Sequence, residues 1–471
     1  MVKGEQHWAN ATDPRIPIAL APVVAGVATL NNFRAKPVVG RRDKLIGTAG
    51  KAGAKPMLNV TDGRHALVPS DYAAIYNVKP LYQAGIDGTG RTIAVVGISN
   101  FDPQDVANFR KLFGVSVNPP QIIVNGPDPG NLGGGAEMEA VLDATWAGAV
   151  APGATVKFVV SADTDAAAGL DLSEQYIVDN NLADIVTESF GVCEVFTAQL
   201  QGLNAFLEAV REQAAVQGMT FIVSAGDSGA YNCDDFDTEL SVTEKPSVSA
   251  RAASPYVVAV GGTQFNEAGN DSAYWNADDF PAHGPALAYI PENAWNQSCN
   301  SPDCFGNIVA GSGGPSISFP KPSWQSGIYG MPGDGARDLP DVSLAAAWDH
   351  DAYVLCIGSD ECQTDSSGGF YFSLTGGTSA AAPSFAGMIA LIGQKMKSRL
   401  GQVNPVLYGL AATEQFSQCN GSAGPPASNC IFNDVTQGNT GVPGEPGYGT
   451  NNVGYVAGQG YDLATGLGSV N

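Results

Sequence analysis

Six apolar runs of strand length, RTIAVVGIS (91–99), VKFVVS (156–161), ADIVTESF (183–190), MTFIVSAG (219–226), YVVAVGGT (256–263) and AYVLCIG (352–358), lack the alternation of a strand with one wet face. Unbroken runs of this kind belong to strands covered on both sides, the condition of a parallel sheet. Between them lie PQDVANFRKLFG (103–114), AEMEAVLDATWAGAVA (136–151) and FTAQLQGLNAFLEAVREQAAVQG (196–218), whose apolar residues recur at helical spacing. The alternation predicts an α/β fold with a mostly parallel central sheet flanked by helices. SAAAPSFAGMIALIGQKMKSRL (379–400) is the clearest helix of all. Residues 264–340, rich in Pro, Gly and Asn, lose this rhythm and read as a long loop insertion, as do the Gly-rich residues at the C-terminus. Residues 1–60, with the basic RRDKLIGTAGKAGAKP (41–56), read as an extended leader.

Composition narrows the partners. A chain of 471 residues with 44% hydrophobic content can bury a large core. With 46 acidic against 23 basic residues and a net charge of -23, nucleic acid and anionic membranes are excluded as partners. Near pH ~4 most of that negative charge is neutralised and little positive charge replaces it, so the chain suits an acid medium. Eight cysteines without C-x-x-C spacing favour disulfides over zinc, and nearest-neighbour pairing gives 193 with 233, 299 with 304, 356 with 362 and 419 with 430. An oxidising compartment follows. No window spans a bilayer, and IPIALAPVVAGVATL (16–30), which follows Asp13 and Arg15 and holds two prolines, is a poor signal peptide. A secreted chain therefore has its export signal upstream or missing. The sequons at Asn10, Asn59, Asn270 and Asn420 matter only in a host that glycosylates.

The stretch LTGGTSAAAPSFAGM (374–388) sets Ser379 between a glycine pair and an alanine run at a helix start. A serine nucleophile needs a base. The four histidines are His7 and His65 near the leader, His283 in the insertion and His350 in AAWDHDAY; none lies in an H-G-T helix start, and Pro285 follows the nearest imitation, AHGPA. Carboxylates answer better. Glu139 and Asp143, four apart in EAVLD, share one helix face, and their apolar flanks argue against a solvated face. So close a pair titrates as one unit. Asp227 in SAGDSGA follows the end of a buried strand, where open α/β sheets gather their active groups, although an Asp before Ser-Gly is also an ordinary turn residue.

EAVLD, SAGDSGA and GGTSAAAP together, with ESFGVCE, YIPENAWN, ARDLPDVSL and GYDLATGLGSVN, resemble the sedolisin (serine-carboxyl peptidase, kumamolisin-like) family from about residue 67 to the C-terminus. The resemblance implies a subtilisin-like fold enlarged by long loops, a 61–471 peptidase domain, and a 1–60 remnant of a prosegment end and its linker. It implies Ser379 as nucleophile, Glu139 as general base, Asp143 as the carboxyl that orients it and Asp227 as an oxyanion-hole acid. Ser189, Phe190 and Gly191 of ESFGVCE would meet the substrate, with Phe190 where some members carry Trp. A structural calcium ion would take the side chains of Asp434 and Asp462 and the carbonyls of Val435, Gly458 and Gly460. The implied protein is a secreted, monomeric endopeptidase acting on proteins or peptides through an acyl-enzyme, with its own prosegment as intramolecular inhibitor and a maturation cut between residues 50 and 68. An extra Glu of some members falls here on Gly97. Two other readings stand beside this one: a catalytically silent secreted binding protein on the same fold, and a neutral subtilisin-like hydrolase using His283.

Overall fold

A computed structural model describes residues 6–12, 14–24, 27, 30–37, 43–48 and 65–471, the last stretch apart from 166, 199–200, 237, 277–285, 300–307, 349–350, 365, 367–368 and 451–452. Five of the six apolar runs form the central sheet. Its strands are β1 (Thr92–Gly97), β2 (Gln121–Val124), β3 (Thr155–Val160), β4 (Ile185–Glu188), β5 (Thr220–Ser224), β6 (Val257–Phe265), β7 (Glu292–Ala294) and β8 (Val342–Ala345). The order is β7-β6-β5-β4-β1-β3-β2, with β8 also on β6. Every pairing is parallel except β6 with β7.

Side chains alternate between two apolar layers, as a sheet covered on both faces requires. Ile93, Val95 and Ile185 point into one, Ala94, Val96 and Val186 into the other. The first layer holds helices α1 (Gly134–Val150) and α5 (Thr378–Met396), whose residues Met138–Val150 and Thr378–Leu391 are buried without interruption. A helix apolar all round belongs inside a protein. The two helices touch closely because Gly387 has no side chain; a Cβ there would lie 2.7 Å from Val150 Cβ and 3.0 Å from the carbonyl of Ala147. The opposite face is covered by α2 (Gly169–Asp179), α3 (Gln201–Val216) and α4 (Ala250–Ala253).

Departures from the expectation have physical causes. AYVLCIG forms a strand, Asp351–Leu355, but in a separate four-stranded sheet with His65–Leu67, Gly369–Thr375 and the leader segment Asp43–Thr48. An apolar run reports burial, not which sheet it joins. The 264–340 insertion contains β7 and a hairpin of Gly314–Pro320 with Ala336–Leu339. The sequence pattern also passes over α2, whose inward face carries Asp171, Ser173 and Glu174 among its apolar residues Leu170, Ile177 and Val178. Disulfides join Cys193 to Cys233, Cys356 to Cys362 and Cys419 to Cys430, as nearest-neighbour pairing predicts. Cys299 is also disulfide-bonded, while Cys304 lies outside the described residues. Among the described residues no helix is long and apolar enough to cross a membrane.

Candidate active site

Ser379 is the second residue of α5, and the glycine pair before it is a matter of space. Gly377 has φ 100°, and a Cβ on Gly376 would come 2.4 Å from the carbonyl of Ala346. This tight entry sets the first turn of α5 against the carboxyl end of the sheet, beside the residues that follow β4 and β5.

Four sequence-predicted residues meet there. Ser379 Oγ donates to Glu139 Oε2 at 3.1 Å. Glu139 and Asp143, one turn apart on α1, are hydrogen-bonded to each other. Asp143 Oδ1 accepts from Ser189 Oγ at 2.8 Å, and Ser189 Oγ lies 3.5 Å from the carbonyl oxygen of Ser379. Asp227 Oδ1 accepts from both Thr378 N–H, at 2.9 Å, and Thr378 Oγ1, at 2.8 Å. Thr378 Oγ1 in turn accepts from Gly226 N–H at 3.1 Å. Each of the four residues is at most 1% exposed.

Burial pushes the Asp143 carboxyl well above its usual range; the bonds from Ser189 and Glu139 pull it part of the way down, and the charge of Glu188 raises it further. No cation is among the groups acting on it, so a proton stays on this pair at a pH where ordinary carboxyls have lost theirs. Thr378 is the residue that sequence reasoning missed. Its signal was present in GGTSAAAP, since a hydroxyl next to the nucleophile at a helix start is placed to fix a neighbouring acid.

Ser189 turns inward to Asp143, not toward an open cleft. Phe190 and Gly191 pair antiparallel with Pro37 and Lys36 of the leader, and Phe190 is 1% exposed. At Gly97 a Cβ would fall 2.2 Å from Phe158 Cζ, so the ring of Phe158 fills the place an extra Glu would need. His283 and His350 lie outside the described residues, His7 stacks on Phe33 and His65 stacks on Trp275.

The C-terminal loops bring Asp434 and Asp462 together. Asp434 accepts from Gly460 N–H at 3.1 and 3.2 Å. Asp462 accepts from the N–H groups of Gly458, Ala464 and Thr465. Burial pushes each carboxyl up to about 7, and the charge of Asp462 adds to the rise at Asp434. Two buried acids that repel each other, with no basic side chain among the groups acting on them, form a donor set suited to a hard cation.

Comparison with known proteins bears on the family and the fold. Residues 122–406 match the Subtilase family. The chain is 29% identical to Sedolisin of Pseudomonas sp. (strain 101), across 100% of this chain and 69% of that protein. It is 30% identical to Kumamolisin of Bacillus sp. (strain MN-32), across 97% of this chain and 70% of that one. The solved structure of Pseudomonas sedolisin, described as a serine-carboxyl proteinase complexed with two molecules of pseudo-iodotyrostatin, superimposes with a TM-score of 0.66 at 28% identity, covering 86% of this chain and 96% of that chain.

Proposed function

The chain belongs to the sedolisin family of serine-carboxyl peptidases within the subtilases, and on that premise we propose that it cleaves proteins internally, in acid, through Ser379, Glu139 and Asp143. The observation that carries this reading is the 3.1 Å bond from Ser379 Oγ to Glu139, inside a site whose other ionisable groups are also carboxyls. Ser379 Oγ attacks the scissile carbonyl carbon while its proton passes to Glu139. Collapse of the tetrahedral intermediate breaks the C–N bond, and the departing amine takes that proton. Water then attacks the acyl-enzyme with Glu139 again as base, releasing the acid and restoring Ser379. Asp143 shares its proton with Glu139 and steadies the charge there. Asp227, one oxygen fixed by Thr378, carries its proton on the other and gives a hydrogen bond to the oxyanion alongside the N–H of Ser379. The N-terminus of α5 adds its positive dipole end.

Acid is a requirement of this set. At pH ~4 a histidine is protonated and useless as a base, whereas a Glu near ~4.3 is still partly ionised. Asp227 serves the oxyanion only while neutral. Hydrolysis of a denatured protein, followed from pH 2 to 8, is expected to peak in acid and to vanish in Ser379→Ala. A rate that instead rises through pH ~6.5 would favour His283 as base, and activity that survives Ser379→Ala would dismiss this nucleophile.

The leader serves as intramolecular inhibitor in this reading. Lys36–Pro37 adds a strand to Phe190–Gly191, as a bound peptide would, and Lys36 Nζ pairs with Asp235 at 3.1 Å. The 50–68 maturation cut falls mostly outside the described residues. Disulfides support secretion. Asp434 and Asp462, with the carbonyls of Val435, Gly458 and Gly460, would hold a structural calcium ion whose charge offsets their repulsion. A chelator is then expected to lower the unfolding temperature, and added calcium to restore it. An unchanged melting curve would remove the ion from the account.

A further inference from the structure

The leader strand Lys36–Pro37 runs antiparallel to Phe190–Gly191, with Lys36 opposite Gly191 and Pro37 opposite Phe190. Immediately before Phe190 stands Ser189, whose hydroxyl meets Asp143 and lies 3.5 Å from the carbonyl oxygen of Ser379. The leader strand therefore points, amino to carboxyl, toward the nucleophile, and it also lies against α1, the helix of Glu139 and Asp143. A peptide bound in this direction lays the residues that precede its scissile bond along Phe190–Gly191. Strand addition of this kind takes affinity from the main chain and selects sequence through alternate side chains.

On this pairing Lys36 meets a carboxylate. Directly opposite residues of an antiparallel pair project to the same face, and Gly191 brings no side chain to it. The partner comes from the loop after β5, where Asp235 Oδ2 accepts from Lys36 Nζ at 3.1 Å. That loop is fastened to the strand the leader pairs with, because the Cys193–Cys233 disulfide joins the chain just beyond Gly191 to the chain just before Asp235. Neighbours on both sides of Asp235 are anchored. Asp234 turns inward, 3% exposed, and accepts from the N–H groups of Thr243 and Glu244. Phe236 packs on Trp348 with ring centroids 6.2 Å apart. The N–H of Asp235 itself is held by Glu239 Oε2 at 3.2 Å.

Resting on the peptidase reading above, in which the leader binds as a substrate would, we propose that Asp235 is a specificity-determining residue: it selects peptides with lysine or arginine at the position that lies opposite Gly191. The rest of the leader is held by other means. Phe33 packs on Phe196 and Leu207, while Arg34, outside the strand pairing, reaches the carbonyl of Thr164 at 2.9 Å and Asp163 at 3.8 Å. The Lys36 side chain is 64% exposed and that of Asp235 24%, so the pair has the strength of a surface ion pair and gives a bias, not an absolute requirement.

Digestion of a denatured protein mixture by the full chain at pH ~5, where reference carboxyls are ionised, with the cut sites read by mass spectrometry, makes the test. Lysine and arginine should be over-represented by about 2- to 5-fold at one fixed position on the amino side of the cuts. Asp235→Asn should erase that preference, and Asp235→Lys should turn it into a depletion through like-charge repulsion. For a peptide carrying the preferred site, exchanging its lysine for alanine should lower kcat/KM by the same factor in the parent and leave it unchanged in Asp235→Asn. Asp163→Asn, which loosens the leader at Arg34 without touching Asp235, should keep the parent's preference. A parent with no basic preference at any fixed position overturns the proposal, as does a preference that survives Asp235→Asn or is lost equally in Asp163→Asn. In each of those cases cutting still depends on Ser379, whereas cutting that persists in Ser379→Ala would fail the reading of the nucleophile itself.

Discussion

Glu139→Gln should lower kcat on a denatured protein by roughly 10⁴-fold or more while changing KM little, as expected for a group needed only in the transition state. The substitution is nearly isosteric, and the amide oxygen can still accept the 3.1 Å hydrogen bond from Ser379 Oγ. What is lost is the capacity to take the proton. Bound substrate would still find the oxyanion donors, so the residual rate measures what Asp227 and the N–H of Ser379 supply without a base. Combining Glu139→Gln with Ser379→Ala should cost hardly more than either alone, because the two act as one unit. A Glu139→Gln protein that keeps a tenth of the parent rate would show that another group takes the proton.

Stability should fall as the solution is brought from pH 4 to pH 8. Asp71, wholly buried, is pushed up to about 7 by burial despite the N–H groups of Val68 and Ala286. Glu188 is pushed up to about 8, and Asp143 and Glu292 are raised by burial as well. In each case the folded carboxyl holds its proton more tightly than the unfolded one, whose value is near ~4. The stability this gives is complete below about pH 4 and is lost as pH rises through the folded values, up to about 8. The combined loss is on the order of 5 kcal/mol, enough to lower the melting temperature by about 5 °C in a chain of this length. Surface repulsion in a chain of net charge -23 acts in the same direction, but high salt screens it and spares the buried part. Melting curves at pH 4, 6 and 8, each with and without ~0.5 M salt, make the test. A melting temperature that holds or rises toward pH 8, or a loss that salt abolishes, would remove the buried carboxyls as its cause.

Acid activity and acid stability thus share a source. The same burial that keeps a proton on Asp143 keeps protons on Asp71 and Glu292, which bear no evident part in catalysis. In Glu292 the carboxyl is surrounded by hydroxyls, those of Tyr76, Thr263, Tyr289 and Ser469, and by no cation.

What the sequence determined by itself is what depends on short spacing. Apolar runs of strand length dictate buried strands, four-residue spacing puts Glu139 and Asp143 on one face, and GGTS places a hydroxyl at a helix start. These are local consequences of backbone geometry. Only the tertiary structure decided that α1 and α5 lie against each other, close enough at Gly387 for Ser379 to reach Glu139 across 240 residues of chain. It alone assigned Asp351–Leu355 to a second sheet, turned Ser189 inward, and revealed α2, whose buried acids hide its amphipathic pattern. Ionic groups such as Asp171, Glu174 and Glu188 read as surface residues in a sequence, because burying a charge is costly until a partner is supplied. Their partners, Arg211 and Arg251, come from distant helices, and only the folded chain brings them together.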